Sequence, residues 1–325
     1  VFVRQWPPVA SEDSTLISLV EKASEGDRRS VGRLLTLVER GGESAEQVAE
    51  STHTLSGKSH VIGITGAPGA GKSTLTACLA RDLAVSGYKP AVLAVDPSSP
   101  LTGGAILGDR VRMEEASEAG AFIRSMATRG HSGGLALAVP GMVRVFDAFG
   151  FNPIIIETVG VGQVEVDVAS AADTVVVVVT SGWGDAVQAN KAGLLEIADL
   201  FVVNKADRPG ASDARRDLEL MIDLSQVTGQ ATRRPDIVMT TAIEGDGLEE
   251  FKNAIFEHRD FLSEGEQISF RRSKRWKAEV RSRLDYLLSE VARESIENIE
   301  EKEGASPGSV AREIARNILK KNDFR

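Results

Sequence analysis

Cysteine is almost absent from this chain. Cys78 is the only one among 325 residues, which excludes an intramolecular disulfide and fits a reducing compartment. Histidine is nearly as scarce, with four, and no second histidine stands at ligand spacing from His131, so a dedicated transition-metal site is poorly supported. There is no excess of positive charge: 38 Lys and Arg against 47 Asp and Glu leave a net charge of −9, which argues against nucleic acid as a general partner. No apolar run approaches the length of a membrane span, so no membrane association is expected. The first residues lack the charged-then-apolar order of a signal peptide, and the expectation is a cytoplasmic protein. Because the sequence begins at valine, a removed upstream segment stays open. Repeats and low-complexity segments are missing as well.

What is present is a composition of 42% hydrophobic and 26% charged residues, ample for one large domain with additions or for two domains. The stretch Val61–Leu75 organises the chain. An apolar run reads as a buried strand, a glycine-rich loop follows, and a helical pattern continues from it. Gly66, Ala67, Pro68, Gly69, Ala70, Gly71, Lys72 and Ser73 fit G-x-x-x-x-G-K-[ST] at every fixed position, with Thr74 next. Such a loop cradles phosphate oxygens with backbone N–H groups at a helix N-terminus. Lys72 would reach the outer phosphates, and the Ser73 hydroxyl would hold Mg2+.

From His60 to about Phe261, apolar runs alternate with helical patterns. The expected strands are Val61–Thr65, Ala91–Val95, Ala121–Arg124, Pro153–Glu157, Thr174–Thr180, Leu200–Val203 and Ile237–Thr240. Most are continuous and β-branched, as strands covered on both faces are. The expected fold is therefore α/β, a mostly parallel, doubly wound sheet with its ligand beyond the carboxyl ends of the strands. Residues 1–56 read as an arm and a helical hairpin packed on this domain, with Asp27 as an N-cap and Gly41-Gly42 ending a helix. Residues 57–262 form the expected central domain and 263–325 a helical extension. In that extension Trp276, Val280, Leu284, Leu287, Leu288 and Val291 make an apolar stripe, and Ser306-Pro307 opens a second helix. The basic run Arg271–Arg283 reads as a solvated helix face, with docking of an acidic partner as the sharper alternative.

Asn204-Lys205-Ala206-Asp207 follows an apolar strand and matches the N-K-x-D loop that reads guanine. A carboxylate at Asp207 can accept from both guanine N1–H and the 2-amino group, donors that adenine lacks in that geometry. Asn204 would also tie this loop to the phosphate loop. Thr241-Ala242, after the last strand, resembles the S-A element whose backbone contacts guanine. Glu157-Thr158-Val159-Gly160 ends another strand. Its carboxylate suits Mg2+, directly or through water, and Gly160 would let the backbone approach the γ-phosphate. Where many GTPases carry a water-positioning glutamine this chain has Val161; the nearest glutamine is Gln163, which is equally well a loop residue without a chemical role. Weak intrinsic hydrolysis, raised by a partner or by rearrangement of a loop, is the expectation. Asp96 and Asp109 sit in or beside a polar, Gly-rich loop, as metal-side acids or alternatively as helix caps. Arg124, Arg129 and His131 fall in or near another Gly-rich loop, His131 reading as solvated. Cys78, on the helix after the phosphate loop, reads as a small buried residue.

Taken together, these motifs resemble the MeaB/ArgK family of P-loop GTPases, bacterial relatives of the human methylmalonic aciduria type A protein. The resemblance rests on ITGAPGAGKST at 64–74, VDPSSPLTGGAILGDRVRM at 95–113, ETVGVGQVEVD at 157–167, GDAVQANKAGLLEIAD at 184–199 and NKAD at 204–207. It implies a homodimeric GTPase that chaperones adenosylcobalamin-dependent methylmalonyl-CoA mutase: gating cofactor loading, protecting the enzyme and helping to remove damaged cofactor. It further implies that Asp96, Asp109 and Glu157 are metal-side acids, and that residues 182–191 form an extra switch loop with Gln188 and Lys191 as its polar candidates. Trp183 departs from the family's usual proline-glycine opening of that loop. Two other activities fit the sequence less well. A kinase needs a base beside an acceptor pocket, and no such constellation is evident; a metal-delivery GTPase normally carries Cys/His motifs that this chain lacks.

Overall fold

The structure, a computed structural model, describes residues 12–96, 113–127, 132–158, 171–182, 196–227, 233–297 and 306–320. Its centre is one sheet of β1 (Val61–Gly66), β2 (Ala91–Asp96), β3 (Phe122–Ala127), β4 (Ile154–Thr158), β5 (Thr174–Val179), β6 (Leu200–Asn204) and β7 (Asp236–Thr240). The spatial order is β3-β2-β4-β1-β5-β6-β7, and every pairing is parallel. All seven strands expected from sequence are present. β1, β4, β5 and β6 are buried along their whole length, which is why they read as unbroken apolar runs. β3 runs on to Ala127, beyond the expected end at Arg124. The reason is tertiary: Arg124 bonds Thr36 and Glu39 of a neighbouring helix, so a charged residue sits within a strand.

Alternating side chains feed two cores. On one face Val61, Ile154, Ile156, Val175 and Val177 join residues of α1 (Glu12–Ser24), α2 (Arg28–Arg40), α6 (Ser132–Ala148) and α7 (Ala211–Val227). On the other, Ile62, Ile64, Ile155 and Val176 meet α4 (Lys72–Val85), α5 (Glu114–Glu118) and α8 (Leu248–Glu264). The amino-terminal segment differs from the expected hairpin. Gly41, with φ 75°, closes α2, and α3 (Gly42–His53) begins at the next residue, so three helices are formed. Glycine at both positions permits a reversal without a linker. Asp27 caps α2 as expected, accepting from Arg29 N and Ser30 N. The bundle is fixed by Leu34 and Leu35, fully buried, and by Gly141, where a Cβ would come 2.8 Å from Val38 Cγ1.

The amino ends of the strands carry a buried polar chain. His60 Nε2 and His258 Nδ1 each lie 2.8 Å from Thr174 Oγ1, and His258 Nε2 faces Asp199 Oδ1 at 3.4 Å. Arg271, on the first turns of α9 (Gln267–Glu297), holds both Asp199 oxygens at 2.7 and 2.6 Å. Burial pushes the Asp199 carboxyl up, but hydrogen bonds from His258 and Arg271 outweigh it and leave it at about 2.

The chain divides into two compact units, Val1–Ser273 and Lys274–Arg325. In the second, α9 buries none of its residues, and Trp276, Leu284 and Leu287 are half exposed. α10 (Pro307–Lys320) opens at Ser306, whose hydroxyl accepts from Ser309 N, with proline at the first helical position. Among the described residues no helix is long and apolar enough to cross a membrane.

Candidate functional site

β1 lies between β4 and β5, and the chain crosses to opposite sides of it. Its carboxyl end therefore opens at a topological switch point, the place where open parallel sheets bind ligands. Two glycines there are obligatory. Gly66 has φ 133°, and a Cβ on it would collide with the Val178 carbonyl of β5. Gly71, at φ 92°, caps α4, and its Cβ would collide with the Asn204 amide. The loop between them delivers Lys72 as the first residue of α4. Its side chain is 5% exposed, and its ammonium donates to the Gly66 and Ala67 carbonyls at 2.7 and 3.0 Å. A cation is thus folded into a loop whose backbone leads into a helix N-terminus, an arrangement suited to phosphate.

Beside it, Ser73 Oγ donates to Glu157 Oε1 at 2.6 Å. Glu157 is buried at the carboxyl end of β4, which pairs directly with β1. Asp96 ends β2 on the other flank of β4, so its backbone lies on the same edge of the sheet. These are hard oxygen donors, the kind Mg2+ takes.

The third part comes from β6 and β7. Asn204 Nδ2 donates to the Ala70 carbonyl at 2.8 Å, and its Oδ1 accepts from Thr240 Oγ1 at 3.1 Å and Ala242 N at 3.2 Å. One amide thereby joins the phosphate loop, the end of β6 and the turn after β7. Lys205, held at φ 60°, donates to Gly69 O at 2.7 Å, and Ala206 N bonds Thr240 O. Asp207 stands exposed at the rim, whereas Thr241 and Ala242 are buried.

The structure thus brings together Gly66 to Thr74, Glu157, Asn204, Lys205, Thr241 and Ala242, with Asp207 beside them. Asp109, Arg129, His131, Gly160, Val161, Gln163, Trp183, Gln188 and Lys191 lie outside the described residues. Cys78 is more than a small packing residue: it is half-buried, its thiol donates to the Ala242 carbonyl at 3.3 Å, and burial pushes its pKa up. Neither this contact nor the one from Lys205 to Gly69 has a local signal, since each joins segments more than a hundred residues apart.

A comparison with known proteins agrees with this geometry. A GTPase of Pyrococcus abyssi is 46% identical over 280 residues, 86% of this chain and 86% of that one. A fused isobutyryl-CoA mutase of Geobacillus kaustophilus is 38% identical over 210 residues, 62% of this chain and 19% of that protein. A solved structure described as a LAO/AO transport system kinase has TM-score 0.64 at 24% identity, covering 95% of this chain and 99% of that one, a likeness of fold. The family model for "Methylmalonyl Co-A mutase-associated GTPase MeaB" matches residues 31–297. With a phosphate loop, a buried acid beside it and an N-K-x-D motif bonded both to that loop and to the end of β7, the chain is a GTP hydrolase that belongs to the MeaB family.

Proposed function

We propose that this GTPase serves as a chaperone and switch for an adenosylcobalamin-dependent methylmalonyl-CoA mutase, gating its cofactor loading and supporting its protection and reactivation. The observation that carries the reading is the 210-residue likeness to part of a protein named as a fused isobutyryl-CoA mutase. The family description, which names a mutase-associated GTPase, supports it.

In this reading Gly66 to Thr74 wrap the phosphates, and Lys72 transfers its hydrogen bonds from loop carbonyls to the outer phosphate oxygens. Water attacks the γ-phosphate, and the Lys72 ammonium offsets charge developing on the leaving oxygen. Ser73 and Glu157 fit a Mg2+ site, since two hard oxygens already meet at 2.6 Å beside the phosphate loop. Mg2+ bound there would neutralise phosphate charge, with Asp96 and Asp109 as further acids on that side. Asn204, Lys205, Asp207, Thr241 and Ala242 select guanine, Asp207 being at the open rim where a base edge can reach it. Gly160 lets the backbone approach the γ-phosphate, and Gln188 and Lys191 belong to the loop that responds to the client. Residues 57–262 are the nucleotide-binding domain, with 1–56 and 263–325 as helical additions. The half-exposed Trp276, Leu284 and Leu287 support a homodimer in which a second copy covers α9.

The test is steady-state hydrolysis of GTP and ATP with Mg2+, with and without methylmalonyl-CoA mutase and isobutyryl-CoA mutase from the same source. GTP-selective turnover that rises with methylmalonyl-CoA mutase supports the proposal. A rise only with isobutyryl-CoA mutase changes the client, and indifference to both removes the chaperone role.

A further inference from the structure

Beyond the residues that face the nucleotide, a buried hydroxyl pair joins the two strands that supply them. Thr158 Oγ1 donates to Thr65 Oγ1 at 3.0 Å, and both residues are fully buried. Thr65 directly precedes Gly66, whose carbonyl receives Lys72; Thr158 directly follows Glu157, whose carboxylate receives Ser73. The β1–β4 ladder pairs Ile64 with Glu157 as its last register position. The hydroxyl bond lies one residue further, past the end of the β1–β4 ladder, while Thr65 still pairs with Val177 of β5 and Thr158 with Val95 of β2.

Alternation places the two threonines on the sheet face opposite Glu157, the face of Val61, Ile154 and Ile156. Their neighbours on that face, Ile156, Val175 and Val177, are aliphatic, and packing alone would be met by valine, which has the shape of threonine without its hydroxyl. A buried hydroxyl costs free energy unless it is hydrogen-bonded, and each of these two has the other as a partner.

We propose that Thr158, held by Thr65, is a positioning residue: the hydroxyl bond clamps the carboxyl ends of β1 and β4 so that Glu157 meets Ser73 in the geometry needed to hold a divalent cation. This rests on the assignment of Ser73 and Glu157 to Mg2+, and on GTP hydrolysis, but not on the identity of the client. An error of a fraction of an ångström in such a carboxylate is costly, and only a tie to a rigid strand prevents it.

The experiment measures the affinity of a fluorescent GDP analogue with Mg2+ and with EDTA, whose ratio reports cation holding without turnover. Thr158→Val is expected to shrink that ratio by about five-fold, the worth of one hydrogen bond. Thr158→Ser, which keeps the hydroxyl, is expected to stay within about two-fold of the parent. Thr65→Val probes the same bond from the other strand should Thr158→Val fail to fold, and the double variant should lose no more than either single one. A pair that serves only stability would lower the melting temperature of each variant and leave the ratio untouched, which overturns the proposal. Glu157→Gln separates the two claims. If it leaves the ratio unchanged, the metal assignment falls and the proposal with it. If it collapses the ratio while Thr158→Val does not, only the role of the threonine pair falls.

Discussion

Asn204 Nδ2 bonds the Ala70 carbonyl at 2.8 Å, so the loop after β6 is tied directly to the loop after β1. The same side chain accepts from Thr240 and Ala242. The phosphate loop and the Asn204–Asp207 segment are therefore mechanically one unit, and Gly71 packs against the same Asn204 amide.

Asn204→Ala should thus damage more than one contact. It leaves the Ala70 carbonyl, the Thr240 hydroxyl and the Ala242 N–H without their buried partner, a loss of about 1–3 kcal/mol in unfolding free energy. GTP affinity is expected to fall by at least about ten-fold, and GDP affinity in parallel. Isothermal titration with both nucleotides, beside urea unfolding, measures this; full GTP affinity would refute the coupling.

Lys72→Ala removes the buried ammonium from between the Gly66 and Ala67 carbonyls. The fold should persist, because Leu75, Leu79 and Leu83 still anchor α4. High-affinity GTP binding should disappear. Circular dichroism together with nucleotide titration decides it, and a variant that still binds tightly contradicts the phosphate-loop assignment.

Asp207→Asn should move the preference from GTP toward xanthosine triphosphate, because an amide offers a donor where the carboxylate could only accept. The exposure of Asp207 makes the exchange tolerable to the fold. Competition between the two triphosphates for a fluorescent GDP analogue gives the answer; undiminished guanine preference assigns base reading elsewhere.

Stability should fall as pH drops from about 6.5 toward 4. Burial holds His60 down to about 4, against the pull of Asp173, with Arg259, His258 and Arg272 also disfavouring its charge. Its Nδ1 is buried without a hydrogen-bond partner among the described residues, so a proton there would meet no acceptor. The unfolded chain takes up that proton first, at the ordinary value of 6.5, so the stabilisation is full above 6.5, is lost on acidification through the window, and stops changing below 4. Up to about 3 kcal/mol is involved. Asp199, with its carboxyl at about 2, makes its own loss below this window. Urea unfolding between pH 7 and 4 checks the slope; His60→Gln, which keeps a donor toward Thr174 but does not titrate, should flatten it. Equal slopes would remove His60 as the cause.

Much of the fold was legible because its signals are short-range. A fully buried parallel strand such as Thr174–Val179 announces itself as a β-branched run, and a phosphate loop must place its glycines, lysine and serine at set spacings within one turn. The cap at Asp27 and the start at Ser306-Pro307 are equally local. Arg124 looks like the terminus of β3 until Glu39 is beside it, and α3 carries no signal of its own because the two glycines before it mark only the end of a helix. The polar chain from His60 through Thr174 and His258 to Asp199 and Arg271 gave no sign at all, since its members are scattered over the chain and each alone is an ordinary polar residue.

The amino-acid sequence by itself determined the elements and the chemical inventory: seven strands, a phosphate loop, an N-K-x-D tetrapeptide and an acid at a strand end. Propensity, periodicity and motif spacing act over a few residues, so these need no knowledge of the fold. The tertiary structure alone decided the strand order, which sets β1 between β4 and β5, and with it which side chains meet. Ser73 with Glu157, Asn204 with Ala70 and Thr65 with Thr158 are pairings across 84, 134 and 93 residues. Contacts of that span arise only when hydrophobic burial on both faces stacks the strands in one register, and no local pattern carries that information.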